Sequence, residues 1–355
     1  MELHELLQSI TPPDEAAREQ ANRRWAACAK PLGSLGLLET ALEDIAALTS
    51  DAQVPLWPRA VLVLCADNGV VAQGVTQTDS SVTAAVARNL AAGRTSVCRM
   101  ARAARCAVVP VDMGVRDFMP QPGVLDRRVG NGTGDIAQGP AMTRAQARQA
   151  VLAGAQLARE QKAQGVRLLA TGEMGIGNTT TASAVASVLL GRAPAQMTGR
   201  GAGLSDEGLR RKVAAIERAV AKNRPDAADP LDVLAKVGGF DIAGMCGVFL
   251  GGAAYGIPVL ADGFISAVAA LCAVRLCPAA AKAVLASHVS AEPAGMLLLD
   301  ALHKKPLITA EMRLGEGTGA VAAMPLLDMA RAVYADCYTF EEGGIEAYTP
   351  QGGEG

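Results

Sequence analysis

Aromatic side chains are scarce in this sequence, only 3% of 355 residues. A flat ligand would therefore rest on Leu, Met and Val rather than between stacked rings. Histidine is scarcer still: His4, His288 and His303 stand at no spacing suited to a metal site, so a structural zinc is not expected; no other cofactor is expected either. No CxxC pair occurs among the eight cysteines (28, 65, 98, 106, 246, 272, 277 and 337), most of which lie in apolar runs. They read as buried thiols in a reducing, cytoplasmic setting. Neither sign of charge dominates: 33 Lys and Arg against 35 Asp and Glu leave −2. That balance argues against nucleic acid or an anionic membrane surface as a partner. The opening MELHELLQSITPPDE is acidic and unlike a signal peptide. Familiar nucleotide signatures are missing too. No glycine loop runs into Gly-Lys-Ser/Thr, and no GxGxxG follows the first apolar run, which counts against an NAD-linked dehydrogenase.

One uncharged stretch, 242–261, is long enough on length alone to span a bilayer. It contains Gly244, Gly247, Gly251, Gly252, Gly256 and Pro258, and Asp262 follows at once. It reads instead as a buried small-residue helix running into a buried strand, with glycines that would also suit a subunit interface.

What is present centres on 166–180, VRLLATGEMGIGNTT. Its first half is a short apolar run expected to be a buried strand. Gly172, Gly175 and Gly177 follow, with Glu173 between the first two, and Asn178, Thr179 or Thr180 is placed to cap a helix over 181–190. A strand passing through a glycine turn into a helix N-terminus presents free N–H groups to an anion. A carboxylate inside that turn is out of character for a pure phosphate cradle.

Similar units recur. Residues 60–66 and 105–111 are near-continuous apolar runs ending in Asp67-Asn68-Gly69 and Asp112-Met113-Gly114. Residues 232–237, 257–261 and 281–286 are further candidate strands, ending near Asp241, Asp262 and Ser290. Thr143 to Gln146 forms a capping box opening a helix to about 164. A Pro/Gly-rich loop before Pro140 is too long for a plain connection and is expected to be functional or mobile. Strands alternating with helices, with acidic or glycine residues at the strand ends, predict a doubly wound, mostly parallel α/β domain that binds its ligand at that edge. Residues 1–54 are expected to be helical, 55–300 to form the α/β domain, 301–340 to be a C-terminal helical part, and 341–355 to be a frayed tail.

Two further loops carry chemistry. Gly199-Arg200-Gly201-Ala202-Gly203 precedes a helix bearing Arg210, Arg211 and Lys212, and reads either as a tight turn or as a second phosphate loop. Gly315-Glu316-Gly317 precedes an apolar helix, so Glu316 is either a helix cap or a carboxylate approached closely by a ligand.

The blocks KPLGSLGLLE, ADNGV, GPAMT, GEMGIGNTT, GRGAGLSDEGL, GGFDIAGM, LADGF, SHVSAEPAG and MRLGEGTGA occur in this order over nearly the whole chain. Together they resemble the nicotinate-nucleotide:dimethylbenzimidazole phosphoribosyltransferase family. The resemblance implies a Rossmann-like domain, a small domain built from both chain ends, and a homodimer. It also implies transfer of phosphoribose from nicotinate mononucleotide to 5,6-dimethylbenzimidazole. By that likeness Glu316 is the base and Glu173 its companion. The same likeness points to Gly175, Gly177, Asn178, Thr179, Gly201, Gly203 and Lys212 for the ribose phosphate, while Asp241, Asp262 and Ser290, near strand ends, are weaker candidates for the ribose hydroxyls. Thr78, Ser80, Ala85 and Leu314 are the base-binding candidates. The chain departs from the family pattern at Asn68, where histidine is commoner. It also departs over 76–90, where Thr78, Asp79, Ala85 and Val86 stand in place of Tyr-Pro and Gln-Met pairs. Losing a glutamine that faces the base removes a hydrogen-bonding partner, so a relaxed or shifted base preference is expected. Rival readings are a non-enzymatic nucleotide sensor and a nicotinate-nucleotide hydrolase.

Overall fold

The computed structural model describes residues 2–348. Its sheet has six strands: β1 (Arg59–Ala66), β2 (Ala107–Gly114), β3 (Leu125–Asp126), β4 (Leu168–Met174), β5 (Val259–Ala261) and β6 (Val284–Ala286). All pairings are parallel and the spatial order is β3-β2-β1-β4-β5-β6. The chain winds outward from β1 to β3 and then returns to start again at β4. This is the doubly wound Rossmann order, which opens a crevice where the carboxyl ends of β1 and β4 diverge.

β1 explains the layering. Ala60, Leu62, Leu64 and Ala66 enter one core, while Val61, Val63 and Cys65 enter the other. The first core is roofed by helices Arg144–Ala163, Asn178–Leu190, Phe240–Tyr255 and Gly263–Leu276. The second is roofed by Leu37–Thr49, Ser96–Ala103 and Thr318–Asp336, so both chain ends help cover the sheet. Those ends also meet each other. Trp25 packs edge-on against Tyr334 at 5.0 Å, and Arg24 donates to the carbonyls of Ala335 and Cys337, each at 3.1 Å.

Helix Phe240–Tyr255 settles the uncharged stretch. Every residue from Phe240 to Ala253 is buried within the chain, where Gly247 and Gly251 let its backbone close onto helix Arg144–Ala163. The subunit-interface alternative fails for that reason. Among the described residues no helix is long and apolar enough to cross a membrane.

Several local expectations change. Residues 232–237 are not a strand but part of helix Pro230–Val237, started by Pro230 and by Asp229, which accepts from Leu231 N and Asp232 N, each at 3.1 Å. A short apolar run carries no period that separates the two structures. The segment 281–286 is strand only over Val284–Ala286, after a 3-10 turn, and β2 runs on to Gly114. The long loop before Pro140 supplies edge strand β3, which pairs with β2. At the chain end, 341–344 form a turn and Tyr348 packs edge-on against Phe340 at 5.3 Å; residues 349–355 of the expected tail lie outside the described residues.

Candidate active site

β4 continues through Gly172 and Glu173, paired with Val63 and Leu64 of β1, so Glu173 leaves from the strand end rather than from a turn. Gly172 is needed there because a Cβ would stand 2.6 Å from the Glu316 carbonyl carbon and oxygen. The 315–317 turn thus lies flat on β4 and brings the two glutamates to one cleft. Glu316 itself sits in the left-handed region at φ 59, an uncommon place for a side chain and one held only by its surroundings.

The constraint comes from Asp262, just past β5. Its Oδ2 accepts from Gly317 N at 3.0 Å, and its Oδ1 accepts from Gly319 N and Ala320 N at 2.7 and 3.1 Å. Asp262, not Glu316, therefore caps helix Thr318–Asp336, whose N-cap residue is Gly317. With both oxygens engaged, Asp262 is better described as the fastening of the Glu316 turn than as a ribose ligand. Relieved of capping, the Glu316 carboxylate meets the N-terminus of helix Ser96–Ala103, accepting from Val97 N at 3.4 Å.

Neither Asn178, Thr179 nor Thr180 caps helix Asn178–Leu190; Gly177, at φ 93, holds the N-cap position without a side-chain bond. The Asn178 amide instead donates to Glu173 and, at 3.1 Å, to Asp241 Oδ2. Burial, and then the Asp241 charge, push Glu173 up to about 8. Asp241, fully buried behind it, is pushed by the same burial to about 6. At neutral pH Glu173 thus keeps its proton while Asp241 behind it is largely ionised, a split that suits a site handling a cationic sugar or ring.

At the other end Lys212, 1% exposed, donates to Thr179 Oγ1 at 2.8 Å and to the Gly199 carbonyl at 3.1 Å. Burial depresses it to about 8, against the raising charge of Glu292. Glu292 Oε1 accepts the Gly201 N–H at 3.1 Å.

A cavity of about 230 Å³ joins these groups, small for a ligand site, and the cleft continues past Gly201 and Arg313. Glu173, Gly175, Asn178, Thr179, Gly201, Asp262, Ser290, Leu314 and Glu316 all line it. Gly177, Lys212 and Asp241 stand behind that lining and support it. Gly203 lies on the outer part of the cleft, its carbonyl bonded by Gln77. Thr78 and Ala85 are exposed, and neither they nor Ser80 line the cavity; their segment touches the site through Gln77, which also donates to Ala202 O at 3.1 Å. Asn68 is buried and accepts from Thr181 Oγ1 at 3.3 Å. Sequence reasoning missed Glu292, Arg313 and His288, although each lies within a quoted block. His288, depressed by burial, stands 4.0 Å from Asp262 Oδ1 and supports it. Among the described residues no group of three or more His, Cys, Asp or Glu is placed to hold a metal.

A phosphoribosyltransferase family profile matches residues 10–345. The nicotinate-nucleotide–dimethylbenzimidazole phosphoribosyltransferase of Acetivibrio thermocellus is 47% identical over 349 residues, 98% of this chain and 99% of that protein. The enzyme of the same name from Ruminiclostridium cellulolyticum is 45% identical over 350 residues, 99% of each. The crystal structure of CobT from Thermus thermophilus superposes with a TM-score of 0.88 at 42% identity, covering 93% of this chain and 99% of that one. With fold, length and motif order in agreement, the chain belongs to the nicotinate-nucleotide–dimethylbenzimidazole phosphoribosyltransferase family.

Proposed function

We propose that the chain transfers the phosphoribosyl group of nicotinate mononucleotide to 5,6-dimethylbenzimidazole or a related lower-ligand base. The products are nicotinate and the α-ribazole 5′-phosphate used in the cobalamin nucleotide loop. The observation that carries this reading is the convergence of Glu316 and Glu173 at one end of the cavity, with Thr179, Gly201 and the supporting Lys212 at the other.

The roles follow from the chemistry. The donor's glycosidic bond breaks with its electrons going to the pyridinium nitrogen, so nicotinate departs without a proton from the protein. Positive charge develops on the sugar, where the surrounding carboxylates stabilise it. An azole nitrogen attacks the anomeric carbon on the face opposite the departing ring, which converts β to α. The other ring nitrogen gives its proton to Glu316 as general base. Glu173, held by Asn178, orients the ribose. Thr179, Gly201 and the glycine turns, backed by Lys212, hold the 5′-phosphate; Ser290 is assigned to the ribose. The base rests on apolar Met174, Ile176 and Leu314, all in the cavity lining. With few polar groups on that wall, other benzimidazoles, a purine or a phenol compete with dimethylbenzimidazole. The enzyme is assigned to the cytoplasm as a homodimer, with 55–300 as its catalytic domain and the two chain ends as the smaller one.

Product analysis with nicotinate mononucleotide and a panel of azoles and phenols tests this. α-Linked nucleotides with stoichiometric nicotinate are expected. Nicotinate release without added base would make the protein a hydrolase, and overwhelming preference for dimethylbenzimidazole would refute the relaxed specificity.

A further inference from the structure

Glu292 is the one carboxylate of the cleft that the proposed chemistry leaves without a task. It follows β6 in a loop pinned by Ala291 N to Met312 O at 3.1 Å and by Gly295 N to Glu292 O at 2.9 Å. From there its side chain reaches into the glycine loop. Oε1 takes the Gly201 N–H, while Oε2 is buried and has no hydrogen-bond partner. Gly199 has no room for a side chain because the Glu292 carboxylate and Pro293 Cδ, 2.7 Å from where a Cβ would stand, fill that space. Lys212, close by, donates its hydrogen bonds to neutral oxygens, those of Thr179 and Gly199, with the Glu292 charge near but not bonded to it. An ammonium buried on neutral acceptors and a glycine-loop N–H already bound to a carboxylate describe an anion site with an anion of the protein's own in it.

We propose that Glu292 is the resident anion of the phosphate cradle, occupying at Gly201 the place that the donor's 5′-phosphate takes, and so setting how tightly and how selectively phosphorylated donors bind. This rests on the transferase reading for the donor's identity. A phosphate monoester carries more charge and more acceptor oxygens than a carboxylate, so it wins the Gly201 N–H and lies nearer Lys212. The carboxylate then turns into the outer cleft, which Arg313 lines. A donor with a free 5′-hydroxyl has no charge with which to displace Glu292 and meets an occupied cradle. Selection against it then comes from competition as well as from missing contacts.

Calorimetric titration of inorganic phosphate into the full-length protein tests this without turnover. Glu292→Gln, which keeps the acceptor for Gly201 and removes the charge, is expected to bind phosphate about tenfold more tightly than wild type. It is also expected to lower KM for nicotinate mononucleotide by a similar factor and to narrow the preference for that donor over nicotinate riboside. Phosphate affinity unchanged or weaker in a variant that melts like wild type would overturn the proposal. If the variant does not fold, a phosphate-soaked crystal of the wild type decides: phosphate at Gly201 with Glu292 turned away supports it, and phosphate bound with Glu292 still on Gly201 overturns it. Failure of the transferase reading would show separately, as absence of nucleotide product whatever the phosphate titration gives.

Discussion

Asp262 holds Glu316 in place without touching its side chain: the Asp262 carboxylate binds the N–H groups of Gly317, Gly319 and Ala320, and the turn so fastened leaves Glu316 at φ 59 over β4. The strain at Glu316 and its fastening are one device. Asp262→Asn turns an acceptor into a donor against those N–H groups. It is expected to lower kcat about 10²-fold through misplacement of the base, with KM for nicotinate mononucleotide changed little. Steady-state kinetics beside a melting curve would separate this from simple unfolding.

Glu316→Gln removes the proton acceptor while keeping shape. A loss of kcat of about 10²–10⁴-fold is expected with KM for the donor nearly intact. Retained turnover with dimethylbenzimidazole would remove Glu316 from the role of base.

Glu173 makes stability depend on pH. In the unfolded chain it ionises near 4.5, and in the folded one near about 8, so between these values the native state holds a proton the unfolded state has lost. The stability from its neutral form is complete below the lower value and is lost as pH rises through the upper. Glu173→Gln cannot ionise and still accepts from Asn178. From pH 5 to pH 8.5 its Tm is expected to gain on that of wild type by ~5 °C, as scanning calorimetry at stepped pH would read.

Lys212 predicts a pH dependence of binding. Its ammonium, depressed to about 8 by burial, loses its proton above that pH in the empty site. KM for nicotinate mononucleotide is expected to climb above pH 8 in wild type. In Lys212→Arg, whose charge is permanent, the climb should vanish even if absolute affinity is lower. A climb of equal size in the arginine variant would assign the titration to another group.

Much of this protein was written in its local sequence. Apolar runs such as 60–66 have no polar face to show water, so they had to be covered on both sides, and Thr143 with Gln146 announced its helix start by chemistry confined to one turn. The glycine loops and both glutamates were legible for the same reason, since a turn that needs glycine needs it where it stands. The roles of Asp262, Glu292 and Asn178 were not legible. Each depends on a partner distant in the chain: Asp262 on Gly317, 55 residues away, Glu292 on Gly201, 91 away, and Asn178 on Asp241, 63 away. The same holds for 230–237, where a period too short to read left the choice to Asp229, Pro230 and the core. Residue type and spacing determined which turns and carboxylates the site has. Only the order of strands in the sheet, which brings the ends of β1, β4, β5 and β6 to one edge, decided that Asp262 fastens the Glu316 turn and that Glu292 lies on Gly201. Those assignments follow from burial and unpaired N–H groups, and neither exists until the chain has closed.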